Sequence, residues 1–368
     1  MKTQINFLSS VKKLKTLQQG TSLNSCRYFG KNIANTIEGF PILNPIKGHN
    51  DNKENSTFFI NCNSNAESKP KIESTTKENT SFGKYPFPSI LQCDIPIKQN
   101  PQYLYEYSID IFTELLSTMN VNKPLPLSFT KSQKEISYKF RNILVDWIVE
   151  VHSHFKLQEE TLFLCVNLLD RVFEITSVRK SDLQLIGVTC LFIASKVEEI
   201  YPPELSDFAY ITKNACAMKN ILNKEREILK LLDFDIMTVY SYTLFQRIHF
   251  ISKTPKKAFN LGLFILEAMF YDEGFLNFND YIKALSAMFI AVEIGCKGYH
   301  LPNYLLAVYR TNKQEIKKCI ILAMKVMKNL KAMNLNALIE KNKKKESISQ
   351  MCETNDNTII DENFININ

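Results

Sequence analysis

The sequence predicts an all-α protein built from two related helical domains, and three observations carry that reading. Glycine is scarce, 10 in 368 residues, while 45% of residues are hydrophobic, which favours helices joined by short connections over a turn-rich sheet protein. Apolar residues recur at helical spacing: Phe140, Ile143, Leu144, Trp147, Ile148 and Val151 follow i, i+3, i+4, i+7, i+8, i+11. The third observation is an internal repeat. TLFLCVNLLDRVFEITSVRKSDLQLIGVTCLFIASK (161–196) parallels AFNLGLFILEAMFYDEGFLNFNDYIKALSAMFIAVEI (258–294), each an apolar helix, a loop and a more apolar helix. An offset of about a hundred residues is too long for a solenoid unit and suggests two copies of one helical domain.

Taken in order, residues 1 to about 100 are rich in Asn, Ser, Thr and Lys and end in a proline-dotted segment, FGKYPFPSILQCDIPIKQNP, a composition that predicts disorder. The first 37 residues contain no acid, as in a transit peptide, but Arg27 is their only arginine. With no cleavable apolar core either, targeting is disfavoured. From about 105, Phe112, Leu115, Leu116 and Met119 mark a helix, VNKPLPLSF reads as a loop, and the set from Phe140 marks a second helix. Three more helices are expected at about 159–174, 181–197 and 217–232, the middle one capped by Ser181-Asp182 and stopped by Pro202-Pro203. Beyond about 331, KNKKKESISQMCETNDNT returns to polar composition.

Composition also excludes several functions. The nine cysteines are scattered singly with no CxxC pair, which argues against a zinc knuckle or a disulfide framework and for a reducing compartment. The longest nearly apolar run, Leu183 to Val197, is interrupted by Gln184, Thr189, Ser195 and Lys196, too short and too polar for a membrane span. Net charge is +7, yet residues 1–100 hold 13 Lys/Arg against 7 Asp/Glu, which leaves the remainder at 32 against 31. A nearly neutral folded part is not built to neutralise phosphates, so no direct nucleic-acid partner is expected. The five histidines are dispersed, His152 and His154 fall on different helix faces, and no Gly-rich phosphate loop occurs. No catalytic constellation, metal site or cofactor is expected.

FRNILVDWIVEV, KLQEETL, VNLLDR, LQLIGVTCLFIASKVEEIYPPE and DFAYIT make residues 106 to about 330 similar to the mitotic A- and B-type cyclins. The resemblance implies a disordered regulatory tail (1–104), an N-terminal helix with a first five-helix cyclin box (105–235), a second box (236–332) and a flexible tail (333–368). It implies a non-catalytic subunit that pairs with a cyclin-dependent serine/threonine kinase and activates it at the G2/M transition, in nucleus and cytoplasm. KLQEETL is A-like and GVTCLFIASK is B-like, so the subtype stays open.

One pairing has independent physical support. Asp170 lies in the apolar run LFLCVNLLDRVF, where an unpartnered carboxylate would cost several kcal/mol. Arg141 is the candidate partner, and the resemblance implies the same pair. The alternative is two snorkelling surface charges. The other site residues come from the resemblance alone. Lys196 and Glu225 would bind main-chain groups beside the kinase C helix, with Val197, Leu229, Phe234, Ile236 and Phe112 adding apolar contact. Phe140, Ile143, Leu144, Trp147 and Leu183 would line a docking groove for Arg-x-Leu substrates and inhibitors, with Gln184 hydrogen bonding and Glu150 attracting the basic residue.

Without that resemblance, an amphipathic helix with one tryptophan is simply core. With it, Trp147 is expected to be packed yet partly exposed. Phe140 and Asn142 stand where the usual motif has methionine and alanine, so both are expected to alter which peptides dock. Many cyclins have phenylalanine where Val197 sits. Lys53-Glu54-Asn55 and Lys77-Glu78-Asn79 are KEN sequences of the kind read by the anaphase-promoting ubiquitin ligase, and the segment from Arg27 to Asn35 resembles a D-box with glycine in place of leucine. The rival readings are a cyclin-fold transcription protein, either initiation-factor-like or a transcription-associated cyclin, and a kinase-free helical adaptor.

Overall fold

The computed structural model describes residues 105–343, apart from 120, 122, 297, 298, 303, 304, 306–312, 331, 334 and 335. The expected N-terminal tail therefore lies outside the described residues, whereas the expected flexible C-terminal tail is corrected where it is described: Ala337–Asn342 form a helix whose Leu338 and Asn342 are buried, because they pack against Tyr138–Phe155. After a 3-10 turn, the helices are α1 (Ser108–Thr118), α2 (Pro126–Ser132), α3 (Tyr138–Phe155), α4 (Glu159–Ile175), α5 (Leu183–Glu198), α6 (Leu205–Ile211) and α7 (Met218–Leu231). There follow α8 (Ser241–Ser252), α9 (Lys256–Ala268), α10 (Asp280–Gly295), α11 (Lys313–Asn329) and α12 (Ala337–Asn342). No strand occurs among the described residues.

The two halves of the repeat are α4–α5 and α9–α10, and each forms the central helix pair of its own bundle. Near-continuous apolar sequence puts these helices at the centre: α4 buries nearly every residue from Thr161 to Phe173 and α5 every residue from Ile186 to Ser195. Glycine permits one close crossing. A Cβ on Gly187 of α5 would stand 2.7 Å from Leu144 Cδ1 of α3, so any larger residue there would force the buried Leu144 side chain to shift.

Two local expectations change. The segment expected as a loop at 121–129 contains the start of α2, because Pro126 occupies N1, where a missing N–H costs nothing. Ser181 and Asp182 do not cap α5 with a side-chain hydrogen bond. Asp182 instead accepts from Arg179 at 2.9 and 3.0 Å, in a short 3-10 turn.

Helix ends are satisfied from distant sequence. Gln133, just past α2, donates its Nε2 to the carbonyls of Phe173 and Thr176, both at 2.6 Å, and its Oε1 accepts from Val178 N–H at 2.9 Å. It thereby satisfies carbonyls left orphaned at the end of α4. At the other end of α4, Glu199 accepts from Gln158 N–H at 2.7 Å and Thr161 Oγ1 at 2.5 Å.

The two bundles meet through aromatic and polar contacts. Phe163 of α4 stacks on Tyr242 of α8 at 5.4 Å and meets Phe270 edge-on at 4.8 Å, while Gln246 donates to Glu160 at 3.1 Å. The last helix, α12, returns to the first bundle and packs on α3. Leu338 and Asn342 are fully buried there, and Ala337 N–H donates to Asp146 Oδ1 at 3.0 Å. Lys341 bridges Glu159 at the start of α4 and Glu267 near the end of α9. Burial pushes the Glu267 carboxyl up to about 7. Burial alone would lower the Lys341 pKa, but Glu267 and Glu159 hold it above its ordinary value.

His152 sits beside this cluster, 1% exposed, with Nε2 at 2.8 Å from the Gln158 carbonyl. Burial, with the Lys341 ammonium adding to it, holds the imidazole down to about 4 from 6.5. As pH falls from 6.5 to 4 the unfolded chain takes up a proton that the folded chain refuses. This contribution is therefore complete above 6.5 and is lost through that window, by about 3 kcal/mol. His152→Gln keeps a donor for the Gln158 carbonyl but cannot titrate. Urea unfolding at a series of pH values should give this variant a shallower decline between pH 6.5 and 4 than the native chain.

Candidate functional site

Three clusters gather the residues singled out from the sequence. The first is buried. Arg141 on α3 clasps Asp170 on α4 with both carboxylate oxygens, Nε to Oδ1 at 2.6 Å and Nη2 to Oδ2 at 2.7 Å, and the side chains are only 2% and 6% exposed. Burial would lower the pKa of the guanidinium, and Asp170 more than reverses this, holding it above its ordinary value. The remaining donor, Nη1, reaches the Phe270 carbonyl at 2.5 Å. Asn142 beside it donates to the Tyr271 carbonyl at 2.8 Å. The amide at position 142 thus bonds to the second bundle. A shallow cleft of about 70 Å³ opens beside this pair, with Lys123, Asn167, Asp280 and Lys283 on its walls.

The second cluster is at the C-terminal end of α5. Lys196 is 41% exposed and pairs with the largely buried Glu225 of α7, with its ammonium 4.4 Å over the Phe192 ring. Val197, Leu229 and Ile236 are half-buried. Phe234 is 66% exposed, in the left-handed region at φ 58°. Three residues that the sequence did not flag stand out here: Ile200 at 87%, Tyr201 at 91% and Met237 at 69% exposed. For Ile200 and Tyr201 the signal was available, since residues directly before Pro202-Pro203 stand at the end of a helix and not within its buried face; for Met237 no such signal exists. Phe112 does not belong to this surface. It is 2% exposed, with the guanidinium of Arg247 of α8 5.5 Å over its ring. The outward apolar residues of that region are Tyr107, just before α1, and Ile111 on α1.

The third cluster is the seam between α3 and the start of α5. Phe140, Ile143 and Gln184 are half-buried and Glu150 likewise. Leu144, Trp147 and Leu183 are buried at 0%, 1% and 4%. The expectation of a partly exposed Trp147 is thus corrected: α3 is covered on several sides, and the indole is buried. Over its mouth lies Lys180, whose Nζ is 4.8 Å from the Phe140 ring centroid. The Gln184 Nε2 is buried without a partner. The two KEN sequences and the segment from Arg27 lie outside the described residues.

No group of three or more His, Cys, Asp or Glu among the described residues is placed to hold a metal. Cys165, Cys190, Cys216, Cys296 and Cys319 are free thiols.

Two family models match the chain: Cyclin, N-terminal domain over residues 110–237, and Cyclin, C-terminal domain over 237–354. A putative cyclin-A3-1 of Arabidopsis thaliana is 32% identical over 282 residues, covering 75% of this chain and 79% of that protein. The G2/mitotic-specific cyclin-A of Drosophila melanogaster is 32% identical over 253 residues, covering 67% of this chain and 51% of the relative. The G2/mitotic-specific cyclin-B of Spisula solidissima is 42% identical over 146 residues, covering 40% of this chain and 34% of the relative. The chain thus spans only about half, or less, of the length of two of these relatives.

Arg141→Ala leaves Asp170 charged, buried and unpaired, and removes the link to Phe270. Chemical denaturation should show a loss of about 3–5 kcal/mol. Replacing both members with apolar residues of similar volume should cost less than the single change.

Proposed function

The chain belongs to the cyclin family, and from that premise we propose that it is the activating subunit of a cyclin-dependent serine/threonine kinase, acting at the G2/M transition in nucleus and cytoplasm. The observation that carries the reading is the end of α5. A half-exposed lysine and a carboxylate hold each other there, next to apolar side chains exposed by 66% to 91%. Apolar groups this exposed mark a surface awaiting a partner. The salt bridge keeps both polar ends in place until main-chain groups of the kinase take them over, Lys196 donating to a carbonyl and Glu225 accepting from an N–H. Val197, Leu229, Phe234 and Ile236 then contribute apolar contact, with Ile200, Tyr201 and Met237 beside them.

The chain performs no chemistry in this reading. A rigid surface that fits only the inward position of the kinase C helix stabilises that state by its differential affinity. Inward placement completes the kinase lysine–glutamate pair and helps order the activation loop, which aligns ATP phosphates and substrate hydroxyl. The seam between α3 and α5 recruits Arg-x-Leu substrates and inhibitors, and the KEN sequences at 53–55 and 77–79 hand the subunit to the anaphase-promoting ubiquitin ligase.

Lys196→Ala with Glu225→Ala removes both charges together, so neither is left unpaired in the folded chain. The double variant should lose co-purifying kinase activity while its far-ultraviolet circular dichroism matches the native chain. Full activity with that variant would refute the assignment. Deleting residues 1–100 should lengthen the lifetime of the protein at mitotic exit in a translation shut-off chase, and unchanged turnover would exclude the degron role.

A further inference from the structure

Helix α7 ends in a backbone that its residues do not favour. The chain leaves the helix through Asp233 at φ 52° and Phe234 at φ 58°, two successive residues in the left-handed region and neither of them glycine. Glycine or asparagine suits that region at a helix C-terminus, and a bulky ring there is costly. Burial does not offset the cost, because Phe234 is 66% exposed and Met237, a little further on, is 69% exposed. Strain kept at a residue whose side chain faces solvent is a mark of function rather than of packing.

The turn is held by backbone bonds and one side chain. Phe234 N–H donates to the Leu229 carbonyl at 2.8 Å, Asp235 N–H to that of Leu232 at 2.9 Å and Ile236 N–H to that of Phe234 at 3.0 Å. From α4, 64 positions away in sequence, Arg171 donates its Nη2 to the Asp235 carbonyl at 2.6 Å. Arg171 is 7% exposed and its Nη1 is buried without a partner. Burial pulls the guanidinium pKa down, and the carboxylates of Asp235 and Glu174 only partly oppose this. A buried cation with an orphaned donor is a poor source of stability. What it supplies is a fixed point for the residue that follows Phe234.

We propose that Arg171 is a positioning residue for the kinase-facing surface: its bond to Asp235 keeps the turn in the left-handed form that presents Phe234 and Met237 to the partner. The inference rests on the activating-subunit reading above and adds to it a residue that acts through the turn. Without this bond Asp233 and Phe234 relax to negative φ, the ring leaves the surface, and the partner must restore the turn at a cost in affinity.

The test uses the full chain and the cyclin-dependent kinase that co-purifies with it, with pairing followed by biolayer interferometry beside far-ultraviolet circular dichroism and urea unfolding. Arg171→Met, similar in length and free of buried charge, should stay folded and pair about tenfold more weakly, the loss expected when the presenting form falls to about a tenth of the population. Adding Asp233→Gly to that variant should recover most of the loss, since glycine enters the left-handed region freely. A role confined to stability would move the urea midpoint and leave pairing of the folded chain as it was. Arg171→Lys, which keeps a charge and a donor, should show a smaller loss, and it decides the matter if Arg171→Met does not fold. Native pairing in the folded variant, or a loss that Asp233→Gly does not relieve, would overturn the inference while leaving the activating-subunit reading intact. Absence of any cyclin-dependent kinase from the purified native chain would remove both.

Discussion

One arginine joins α3, α4 and the second bundle at a single point. Arg141 spends two of its donor nitrogens on Asp170 and a third on the Phe270 carbonyl, all away from water. The first contact fixes α3 against α4, and the second fixes that pair against the chain leaving α9. A buried ion pair is a poor source of net stability, because desolvating two charges nearly offsets their attraction. What it supplies is geometry, since a planar guanidinium accepts only one arrangement of carboxylate and carbonyl. Asn142 repeats the link on the next residue, and the stacked rings of Phe163 and Tyr242 add an aromatic contact between the bundles. The face at the end of α5 can be rigid because its supporting helices are clamped in this way.

The sequence block KVEEIYPPE shows how structural and binding tasks are divided among neighbours. Glu199 satisfies the start of α4, Glu198 accepts from Tyr240 at 2.9 Å, and Lys196 pairs with Glu225. Ile200 and Tyr201 then project outward. One short segment therefore closes a helix end, anchors the connection to the second bundle and presents apolar surface. A substitution at Glu199 would disturb α4 before it disturbed any partner.

Much of this was legible from spacing and composition. The central helices follow from unbroken apolar periodicity, and the pairing of Asp170 with Arg141 follows from the cost of an uncompensated carboxylate inside such a helix. The helix starting at Pro126 was hidden because two prolines resemble a loop until one of them is seen at N1. The seven-residue α6 is too short for periodicity to register. The exposure of Trp147 and Phe112 was misjudged for a different reason: the number of neighbours packed on a helix is set by elements far away in sequence. For Phe112 the neighbour is Arg247. Around α3 it is α12, which is nearly two hundred residues further along.

The return of α12 onto α3 also bears on how the chain reaches its native state during synthesis. The N-terminal bundle emerges first from the ribosome, yet one flank of α3 is covered by residues 337–342, which also supply partners to Asp146 and Glu159. A contact this remote in sequence forms late and carries a large loop-closure entropy. A nascent or prematurely terminated chain ending before position 337 would present that flank open, with Glu159 and Glu267 facing one another without their lysine, a surface that chaperones and quality-control proteases are suited to recognise.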